Sequence, residues 1–503
     1  MKPLSDLLRG IAAEVLSGNP DTAVRAIASD SRTVQPGDVF VCLPGYRTEG
    51  GEMRADRHDF IPMAVERGAT ALVVERAVVP PPGVTVVQVA DCWGAIAAMA
   101  CEFFHHPSRA LVMIGVTGTS GKTSTTYFIE SMLRAAGIPT ARLGTIEYRF
   151  GDTVIPAQQT TPEAPELQRL LRQAVDGGFK AVVMEVSSHA LELRRAAGVA
   201  FDVAVFTNIS QDHLNFHPDM HHYRRAKGRL FEELASGGKA ATAIVNADDG
   251  SSAYIIGINR GALLTYGIRQ PADVRGRDIT VSLHGTTFHA TTPAGAFTVE
   301  LPHVGDYHVY NALAAIGVGL ALRLDLADVR SGLAGTPPIP GRFELVECGQ
   351  NFTVAVDYAH KPDALERLLR GARALGPKRI LTVFGCGGDR DRGKRSIMGR
   401  LATELSDVVI VTSDNPRSEN PEQIIAEILA GVGEATGTAA RVRTEVDRAR
   451  AIETAMRLAE PGDLVLIAGK GHETYQLFAD HRVHFDDREQ ARQALARLNL
   501  APR

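Results

Sequence analysis

A glycine-rich loop that carries a lysine and a threonine follows an apolar run in the first third of the chain. The loop is Gly118-Thr-Ser-Gly-Lys-Thr-Ser124, and the amphipathic segment 125–136 comes after it. This order predicts a strand, a phosphate-binding loop and a helix, because backbone N–H groups at a helix start hold phosphate oxygens. Lys122 would add a positive charge, and the Thr123 hydroxyl suits Mg²⁺. The loop therefore predicts a nucleoside triphosphate site.

The spacing of this loop departs by one position from the common P-loop pattern. That pattern has glycine five residues before Gly121, where this chain has Val116. The glycines of this chain are at positions 115 and 118 instead. A glycine-rich turn with an incidental Lys-Thr pair is the alternative. The predicted strand before the loop and the predicted helix after it favour the phosphate site. We expect ATP to be held by Gly118, Thr119, Ser120, Gly121, Lys122, Thr123 and Ser124.

Polar residues also follow two further predicted strands of the same region. The strand 181–186 leads into Ser187-Ser-His189, and the strand 203–208 leads to Asp212-His213. Ligands of an open parallel sheet bind outside the carboxyl ends of its strands, so we expect these groups beside the phosphate loop. Glu185 is then expected to hold Mg²⁺ with Thr123, although a lone glutamate at a strand end is often a solvated or capping residue.

Four strands near the C-terminal end predict a second binding crevice. They cover residues 353–356, 380–384, 408–411 and 464–468, and each runs into a polar or charged motif. Because parallel strand ends share one edge of a sheet, we expect the motifs to lie together. The motifs are Asp357-Tyr-Ala-His360, Gly385-Cys-Gly-Gly-Asp-Arg-Asp-Arg-Gly-Lys-Arg395, Asp414-Asn-Pro-Arg417 and Gly469-Lys-Gly-His-Glu473.

The elements that must position these residues alternate strands with helices, which predicts an α/β fold. A chain of 503 residues suggests about three domains. Residues 1–108 contain short strands and a helix without a catalytic motif, and the nucleotide domain is expected over residues 109–336. The rigid segment Pro337-Pro-Ile-Pro-Gly341 marks the start of a third domain, over residues 337–503.

Composition narrows the class of protein. Apolar residues make up 45% of the chain and charged residues 22%, as in soluble globular proteins. A net charge of −4 argues against a nucleic-acid binder. Five cysteines without a Cys-x-x-Cys pair favour a reducing compartment, and no apolar stretch reaches membrane-spanning length. We expect a cytoplasmic monomer that does not insert into membranes.

Taken in order, the motifs resemble those of the ATP-dependent Mur ligases over essentially the whole chain, and most closely those of the diaminopimelate-adding members. The resemblance implies three domains: an N-terminal domain for the UDP end of the substrate, a central P-loop ATPase domain with a mostly parallel sheet, and a C-terminal Rossmann-like domain for the incoming amino acid. The motifs that carry it are Asp30-Ser-Arg32, 115–123, Gln159-Thr-Thr-Pro-Glu163, 184–189, Thr207-Asn208, Asp212-His213, Ala226-Lys227, Pro340-Gly-Arg342 and the four motifs near the C-terminal end.

Such a ligase must make a carboxylate electrophilic before an amine can attack it. ATP supplies the γ-phosphoryl group, and cations must lie between the two anionic reactants. The resemblance implies a second Mg²⁺ bound by His213 and by a carbamate on Lys227. An ammonium cannot ligate a cation, whereas a carbamate offers anionic oxygens. A solvated lysine is the alternative for Lys227. The expected catalytic residues are Lys122, Glu185, His213 and Lys227, and the expected metal ligands are Thr123, Glu185, His213 and Lys227.

The resemblance also assigns the remaining ATP and substrate contacts. ATP is expected at Asn311, Arg342 and Asp357. The family commonly has Phe-Asn where this chain has Tyr307-His308. The nucleotide-linked substrate, UDP-N-acetylmuramoyl-L-alanyl-D-glutamate, is expected at Ser31, Gln159, Thr160, Thr161, Ser187 and Arg195.

The Asp414-Asn-Pro-Arg417 motif favours meso-diaminopimelate as the amino acid. Diaminopimelate differs from lysine by a distal carboxylate, which a planar guanidinium binds through two parallel hydrogen bonds. Glu473 would receive the distal ammonium. A proline-fixed turn with a surface arginine is the alternative for this motif. The expected contacts are Arg390, Asp414, Asn415, Pro416, Arg417, Gly469 and Glu473.

Three other functions compete with this one. A lysine-adding Mur ligase and a folylpolyglutamate synthetase share the acyl-phosphate chemistry, but the second gives no reason for a UDP-binding domain or for Asp414–Arg417. A catalytically silent nucleotide-binding homologue is the third, and the joint presence of Lys122, Glu185, His213 and Lys227 argues against it.

Overall fold

The fold is seen in a computed structural model that describes residues 1–47, 53–435 and 440–500. Unit 1 contains residues 1–276, 290–297 and 310–333, and unit 2 contains residues 277–289, 298–309 and 334–503. Within the described ranges, no helix has both the length and the apolar character needed to cross a membrane.

The N-terminal part of unit 1 is built on a five-stranded sheet of order β2-β9-β8-β5-β4, in which only β2 is antiparallel to its neighbour. Apolar residues pack on both of its faces. Its elements are β1 (Lys2–Pro3), α1 (Leu4–Leu7), β2 (Ala13–Ser17), β3 (Ala23–Val24), β4 (Ile27–Ala28), β5 (Val39–Val41), β6 (Tyr46–Arg47), β7 (Met53–Arg54), α2 (Ile61–Glu66), β8 (Ala71–Val74), β9 (Thr85–Val89) and α3 (Cys92–Phe103), with 3₁₀ turns at Ser31–Thr33, Arg57–Phe60 and Pro107–Ala110.

The rest of unit 1 surrounds a larger, mostly parallel sheet. Its elements are β10 (Val112–Thr117), α4 (Lys122–Ala135), β11 (Thr140–Leu143), β12 (Glu147–Phe150), β13 (Thr153–Pro156), α5 (Ala164–Asp176), β14 (Ala181–Glu185), α6 (Ser188–Glu192), β15 (Val203–Phe206), α7 (Met220–Glu232), β16 (Thr242–Asn246), α8 (Ser252–Ile258) and β17 (Ala262–Gly267).

Strand β10 lies inside this sheet, in which β10 to β17 have the order β13-β12-β11-β14-β10-β15-β16-β17, and the sheet continues beyond β17. The pairs from β11 to β17 are parallel, and β12 and β13 add an antiparallel edge. Met113, Ile114 and Val116 are fully buried in β10, as expected for a strand covered on both faces. The carboxyl ends of β14, β10 and β15 therefore share one edge of the sheet.

Between the sheet of unit 1 and the C-terminal region, the chain forms three strands and two helices. They are β18 (Val274–Ser282), β19 (Gly285–Thr292), β20 (Gly295–Leu301), α9 (Tyr307–Ala321) and α10 (Leu326–Ala334). Each of β18, β19, β20 and α9 is divided between the two units, so that part of its residues belongs to unit 1 and the rest to unit 2.

The C-terminal part of unit 2 is a doubly wound domain. Its elements are β21 (Glu344–Leu345), β22 (Thr353–Asp357), α11 (Pro362–Ala374), β23 (Ile380–Phe384), α12 (Gly393–Leu405), β24 (Val408–Val411), α13 (Pro421–Val432), β25 (Arg441–Thr444), α14 (Arg448–Leu458), β26 (Leu464–Ala468), β27 (Tyr475–Leu477), β28 (Arg482–His484) and α15 (Asp487–Leu500).

The sheet of this domain has the order β21-β22-β26-β23-β24-β25, and every pair except β21–β22 is parallel. One apolar cluster covers each face of the sheet. All four predicted strands are present, and their carboxyl ends lead into the four motifs. The α/β fold class is therefore confirmed, whereas the boundaries between the three expected domains stay a prediction.

Candidate active site

The phosphate loop is held in shape by residues that follow β15. The Ser120 N–H donates to Asn208 Oδ1 at 3.0 Å, and the Thr207 hydroxyl donates to the Ser120 carbonyl oxygen at 2.7 Å. Thr207 and Asn208 were predicted to continue β15, but this strand ends at Phe206 and the two side chains bind the loop instead. The loop is therefore preorganised by hydrogen bonds from the neighbouring strand.

Glycine is required at both ends of the loop. Gly118 has a φ of 149° and Gly121 has a φ of 88°. A Cβ atom at Gly118 would lie 1.8 Å from Thr207 Oγ1, and one at Gly121 would lie 2.5 Å from Asn311 Oδ1. α4 begins at Lys122, three residues before the predicted helix start, because the left-handed Gly121 already turns the chain into the helix.

We expect Gly118→Ala to destabilise the protein by about 2 kcal/mol or more, because the added methyl group collides with Thr207 and the backbone angle is unfavourable. Thermal unfolding measures this effect. The matched control is Gly137→Ala, since Gly137 also has a positive φ, of 72°, but has no atom within 4 Å of the added Cβ. Equal melting temperatures for the two variants would contradict the close approach at Gly118.

Glu185 is the centre of a hydrogen-bonded group of oxygen atoms beside the loop. It is 1% exposed, and its Oε1 accepts from the Thr123 hydroxyl at 2.9 Å. The backbone N–H and the hydroxyl of Thr145 donate to its two carboxylate oxygens at 2.9 and 3.0 Å. Hydroxyl and carboxylate oxygens are the protein ligands that Mg²⁺ takes, so Thr123 and Glu185 fit such an ion.

Two lysines converge on the carbonyl oxygen of Gly118. Lys122 Nζ donates to this oxygen at 2.9 Å and to the Thr119 carbonyl oxygen at 3.1 Å. Lys227, on α7, donates to the Gly118 oxygen at 2.8 Å although its side chain is fully buried. The structure thus brings together the lysine predicted to bind phosphate and the lysine predicted to carry a carbamate.

His213 lies in the segment between β15 and α7, in the left-handed region with a φ of 55°. Its Nε2 is 3.0 Å from Asp212 Oδ2, and its ring packs edge-on against the ring of His189, 4.7 Å away. Burial lowers the pKa of His189 to about 3, so His213 packs against a neutral imidazole. The Tyr223 ring lies 5.9 Å from the His213 ring and 4.6 Å from Lys227 Nζ, and thus connects two predicted metal ligands.

Several residues predicted to hold the nucleotide-linked substrate surround the same edge of the sheet. Arg195 forms an ion pair with Glu163 at 3.0 Å, and its guanidinium donates to the side-chain oxygen of Gln159. The hydroxyl oxygens of Thr160 and Thr145 are 3.1 Å apart. Thr160, which is predicted to bind the substrate, therefore contacts a hydrogen-bond partner of Glu185.

Thr161 and Ser187 are joined to this group through the backbone. The Thr161 hydroxyl donates to the Glu185 carbonyl oxygen at 2.8 Å and accepts from the Ser187 N–H at 3.1 Å. Ser31 lies apart in sequence, in the 3₁₀ turn of the N-terminal sheet, where its hydroxyl is 3.3 Å from the sulfur of Met63.

The three residues predicted to extend the ATP site are divided between the units. Asn311 belongs to unit 1, and its Oδ1 accepts from the Thr125 hydroxyl at 3.4 Å. In unit 2, the Asp357 carboxylate accepts from the backbone N–H groups of residues 343 and 359, each at 2.8 Å. Arg342 stacks over the Tyr358 ring at 4.7 Å.

The segment that departs from the family pattern, Tyr307-His308, packs against a buried histidine. His303 Nε2 is 3.0 Å from the Pro337 carbonyl oxygen, and the rings of His303 and His308 are 5.3 Å apart. Burial lowers the pKa of both histidines, that of His303 to about 4. The packing around residue 308 is therefore built for uncharged imidazoles.

We expect the free energy of unfolding to fall as the pH falls from about 6.5 towards 4. The unfolded chain binds a proton at His303 below about pH 6.5, whereas the folded protein resists protonation until about pH 4. This difference costs about 2 kcal/mol at pH 5. Denaturant unfolding of wild type and His303→Gln between pH 7 and 5 measures it, and the variant should lose less stability. Parallel pH profiles would contradict the assignment.

In unit 2, four residues of the late motifs form one buried polar cluster. Asn415 Nδ2 donates to Glu473 Oε2 at 2.8 Å, and Lys470 Nζ donates to Asn415 Oδ1 at 3.0 Å and to Glu473 Oε2 at 3.2 Å. Burial, and then the negative charge of Asp414, raise the pKa of Glu473. Burial alone would raise the pKa of Asp414, but the charges of Lys470 and Arg448 hold it below its usual value.

Arg417 lies at the border of this cluster. Its Nη1 donates to the Gly388 carbonyl oxygen at 2.6 Å, and its φ of 52° is unfavourable for a residue with a side chain. Arg390, on the loop that contains Gly388, donates to the Asp389 carbonyl oxygen at 3.0 Å. Gly469 and Pro416 are next to cluster residues in sequence. The structure therefore brings together the residues of the Asp414 and Gly469 motifs that were predicted to bind the amino-acid substrate.

The sequence interpretation missed three residues with central contacts. Thr145 binds both oxygens of Glu185, Tyr223 donates to or accepts from Thr119 at 2.9 Å, and Lys470 binds Glu473. A signal existed for Lys470, which stands inside a motif at a strand end. Thr145 follows β11 in the same way, but it is an uncharged residue between Gly144 and Ile146, so its residue type did not mark it.

Three domain models of one protein family match successive regions of the chain. The family model for the Mur ligase family, catalytic domain, matches residues 23–103. The model for the Mur ligase middle domain matches residues 116–319, and the model for the Mur ligase, glutamate ligase domain, matches residues 341–471.

Relatives that match nearly the whole chain carry one name. The UDP-N-acetylmuramoyl-L-alanyl-D-glutamate–2,6-diaminopimelate ligase of Geobacillus thermodenitrificans is 46% identical over 481 residues and covers 95% of this chain and 96% of its own. The protein of that name from Geobacter metallireducens is 43% identical and covers 99% of both chains. A solved structure with the same name is 32% identical, has a TM-score of 0.69 and covers 100% of both chains.

Proposed function

Because the chain belongs to the Mur ligase family, we propose that it is the ATP-dependent ligase that adds meso-2,6-diaminopimelate to UDP-N-acetylmuramoyl-L-alanyl-D-glutamate in peptidoglycan precursor synthesis. The observation that carries the choice of amino acid is the cluster of Asn415, Arg417 and Glu473 at the strand ends of unit 2. The names of the relatives support the same reaction.

The first step transfers the γ-phosphoryl group of ATP to the substrate carboxylate and gives an acyl phosphate and ADP. Lys122 contributes a positive charge beside the phosphates, and the loop N–H groups donate hydrogen bonds to the phosphate oxygens. Mg²⁺, when bound, neutralises phosphate charge, and Thr123 and Glu185 are the residues that would hold it. His213 and a carbamylated Lys227 would hold a second ion.

The second step is attack of the amino group on the acyl phosphate. The nitrogen of the tetrahedral intermediate gives up its extra proton, and the intermediate collapses to the amide and expels phosphate, which carries away the negative charge. Arg417 binds the distal carboxylate of diaminopimelate, with Arg390 assisting, and Glu473 receives the distal ammonium. With lysine bound, Arg417 would face no anion, which is the physical reason for discrimination.

The remaining assignments complete the site. We assign Asn311, Arg342 and Asp357 to ATP and Ser31, Gln159, Thr160, Thr161, Ser187 and Arg195 to the nucleotide-linked substrate. We also assign three domains, with boundaries near residues 108 and 336, and a monomeric cytoplasmic enzyme. The assignments of Thr160 and Arg195 are supported by their contacts with Thr145 and Glu163 beside the phosphate loop.

ATP hydrolysis coupled to ligation tests this function. Purified protein is given ATP, Mg²⁺ and the UDP-linked dipeptide with either meso-diaminopimelate or L-lysine, and phosphate release and the tripeptide product are measured. We expect product with diaminopimelate and little with lysine. Equal rates with the two amino acids would contradict the role of Arg417 in selecting diaminopimelate, and a higher rate with lysine would favour the lysine-adding alternative. If phosphate is released with neither of these amino acids but is released with a folate and glutamate, the result would favour a folylpolyglutamate synthetase.

A further inference from the structure

Lys470 is a charged residue without contact to solvent in the C-terminal domain. Its relative exposure is 0%, and its ammonium reaches two acceptors on different elements, Asn415 Oδ1 and Glu473 Oε2. Asn415 Oδ1 also accepts from the Leu477 N–H at 3.0 Å. A buried ammonium is costly unless it is paired, so this position is built around its two acceptors.

Lys470 is the cation that is hydrogen-bonded to Glu473 in this cluster. The nearby buried Arg448 is paired with Asp487 through two bonds, at 2.8 and 2.7 Å, and its charge also lowers the pKa of Asp414. Lys470 Nζ donates to Glu473 Oε2 at 3.2 Å, and its charge lowers the pKa of Glu473. Removing Lys470 would therefore leave this carboxylate without its bonded cation.

The two carboxylate oxygens of Glu473 differ in their hydrogen bonds. Both Lys470 and Asn415 bind Oε2, and neither bond uses Oε1. The Glu473 side chain keeps 18% of its surface exposed although Lys470 is fully buried. A carboxylate fixed through one oxygen is held in one orientation and keeps the other oxygen for a ligand.

We propose that Lys470 is a positioning residue for amino-acid specificity, which orients Glu473 and keeps it ionised so that it can bind the distal ammonium of the substrate. This inference rests on the proposed function of the same pocket. Lys470 itself does not touch the substrate. It acts through Glu473 and through Asn415, which it holds against the strand that contains Leu477.

Lys470→Met tests the proposal in the full-length enzyme. We expect the KM for diaminopimelate to rise about 10- to 100-fold, because a charge-assisted hydrogen bond to the specificity carboxylate is lost. The KM values for ATP and for the UDP-linked dipeptide should stay within about twofold. The matched control is Lys378→Met, since Lys378 is exposed in the same domain. An unchanged KM for diaminopimelate in a folded Lys470→Met protein would overturn the proposal.

A pH series separates positioning from a merely structural role. Glu473 is faced by Asp414, Lys470, Arg448, Tyr358 and Tyr475, and only Lys470 is removed. Without it the pKa of Glu473 rises further, so the KM defect relative to wild type should be larger at pH 7 than at pH 8.5. A defect that is the same at both pH values would contradict the proposal.

A double variant keeps the test valid if Lys470→Met unfolds. Glu473→Gln removes the carboxylate that Lys470 orients, so Lys470→Met/Glu473→Gln should raise the KM for diaminopimelate no more than Glu473→Gln alone. A KM for diaminopimelate in the folded double variant well above that of Glu473→Gln alone would overturn the proposal. Failure of the proposed function is seen separately, as a wild-type enzyme that makes no product with diaminopimelate.

Discussion

Replacing Lys227 by arginine should abolish ligation as completely as replacing it by alanine, with a loss of about 100-fold or more in kcat. Lys227 is 1% exposed and lies against the phosphate loop, where its Nζ donates to the Gly118 carbonyl oxygen at 2.8 Å. If it acted only as a cation, arginine would replace it in part. A carbamate requires a neutral amine that reacts with CO₂, and a guanidinium does not supply one.

Steady-state phosphate release in the presence of all three substrates measures this effect. The matched control is Lys180→Arg, since Lys180 is exposed in the same unit and should tolerate the change. Removal of dissolved CO₂ and bicarbonate should lower the activity of the wild type and leave that of Lys227→Ala at its low level. Substantial activity in Lys227→Arg would exclude the carbamate and leave Lys227 as a simple positive charge.

The sequence was sufficient to predict the strands that carry the chemistry and the edge on which they end. Those strands are short apolar runs, and Met113, Ile114 and Val116 are buried on both faces of the sheet. A parallel strand covered on both faces leaves this signature, and its polar successors then lie at the shared carboxyl edge. For this reason Thr123 and Glu185 could be assigned to one neighbourhood from the sequence pattern, whereas Lys227, on α7, was assigned to it only through the resemblance to the family. The resemblance to Mur ligases is confirmed by the relatives.

Other features depend on contacts that spacing does not encode. β12 and β13 form an antiparallel edge of mixed polarity, and nothing in their short segments distinguishes them from loops. Likewise, Thr207 and Asn208 continue an apolar strand in sequence, but their side chains bind the Ser120 carbonyl oxygen of the phosphate loop. Tertiary hydrogen bonds decided these positions.

The same distinction applies inside the candidate site. Motif residues such as Asn415 and Glu473 could be identified because polar motifs follow four strands of one sheet, whose carboxyl ends share an edge. Lys470 and Thr145 also follow strands, but their role is visible only from the acceptors they reach, namely Glu473 and Glu185. Residues that orient a functional group are therefore harder to predict than the group itself, since their signal is a contact and not a residue type.

Arg417→Ala should raise the KM for diaminopimelate about 100-fold while leaving the KM for ATP nearly unchanged. The guanidinium can bind the distal carboxylate through two parallel hydrogen bonds, and the loss of such a charged pair costs about 2–5 kcal/mol. The residue is held in an unfavourable conformation, with a φ of 52°, while its Nη1 binds the Gly388 carbonyl oxygen at 2.6 Å. Backbone strain of this kind persists where the surrounding structure fixes the residue, often at ligand sites.

Arg417→Lys separates shape from charge. An ammonium keeps the positive charge but offers no planar pair of donors, so most of the KM increase should remain. Arg450→Ala is the matched control, because Arg450 is exposed and its ion pair with Asp447 is 4.0 Å long. Turnover with L-lysine provides a second measurement. The preference of the wild type for diaminopimelate should narrow in Arg417→Ala, since the pocket no longer leaves a half-buried guanidinium without an anion when lysine is bound. An unchanged preference would place the specificity of the pocket outside Arg417.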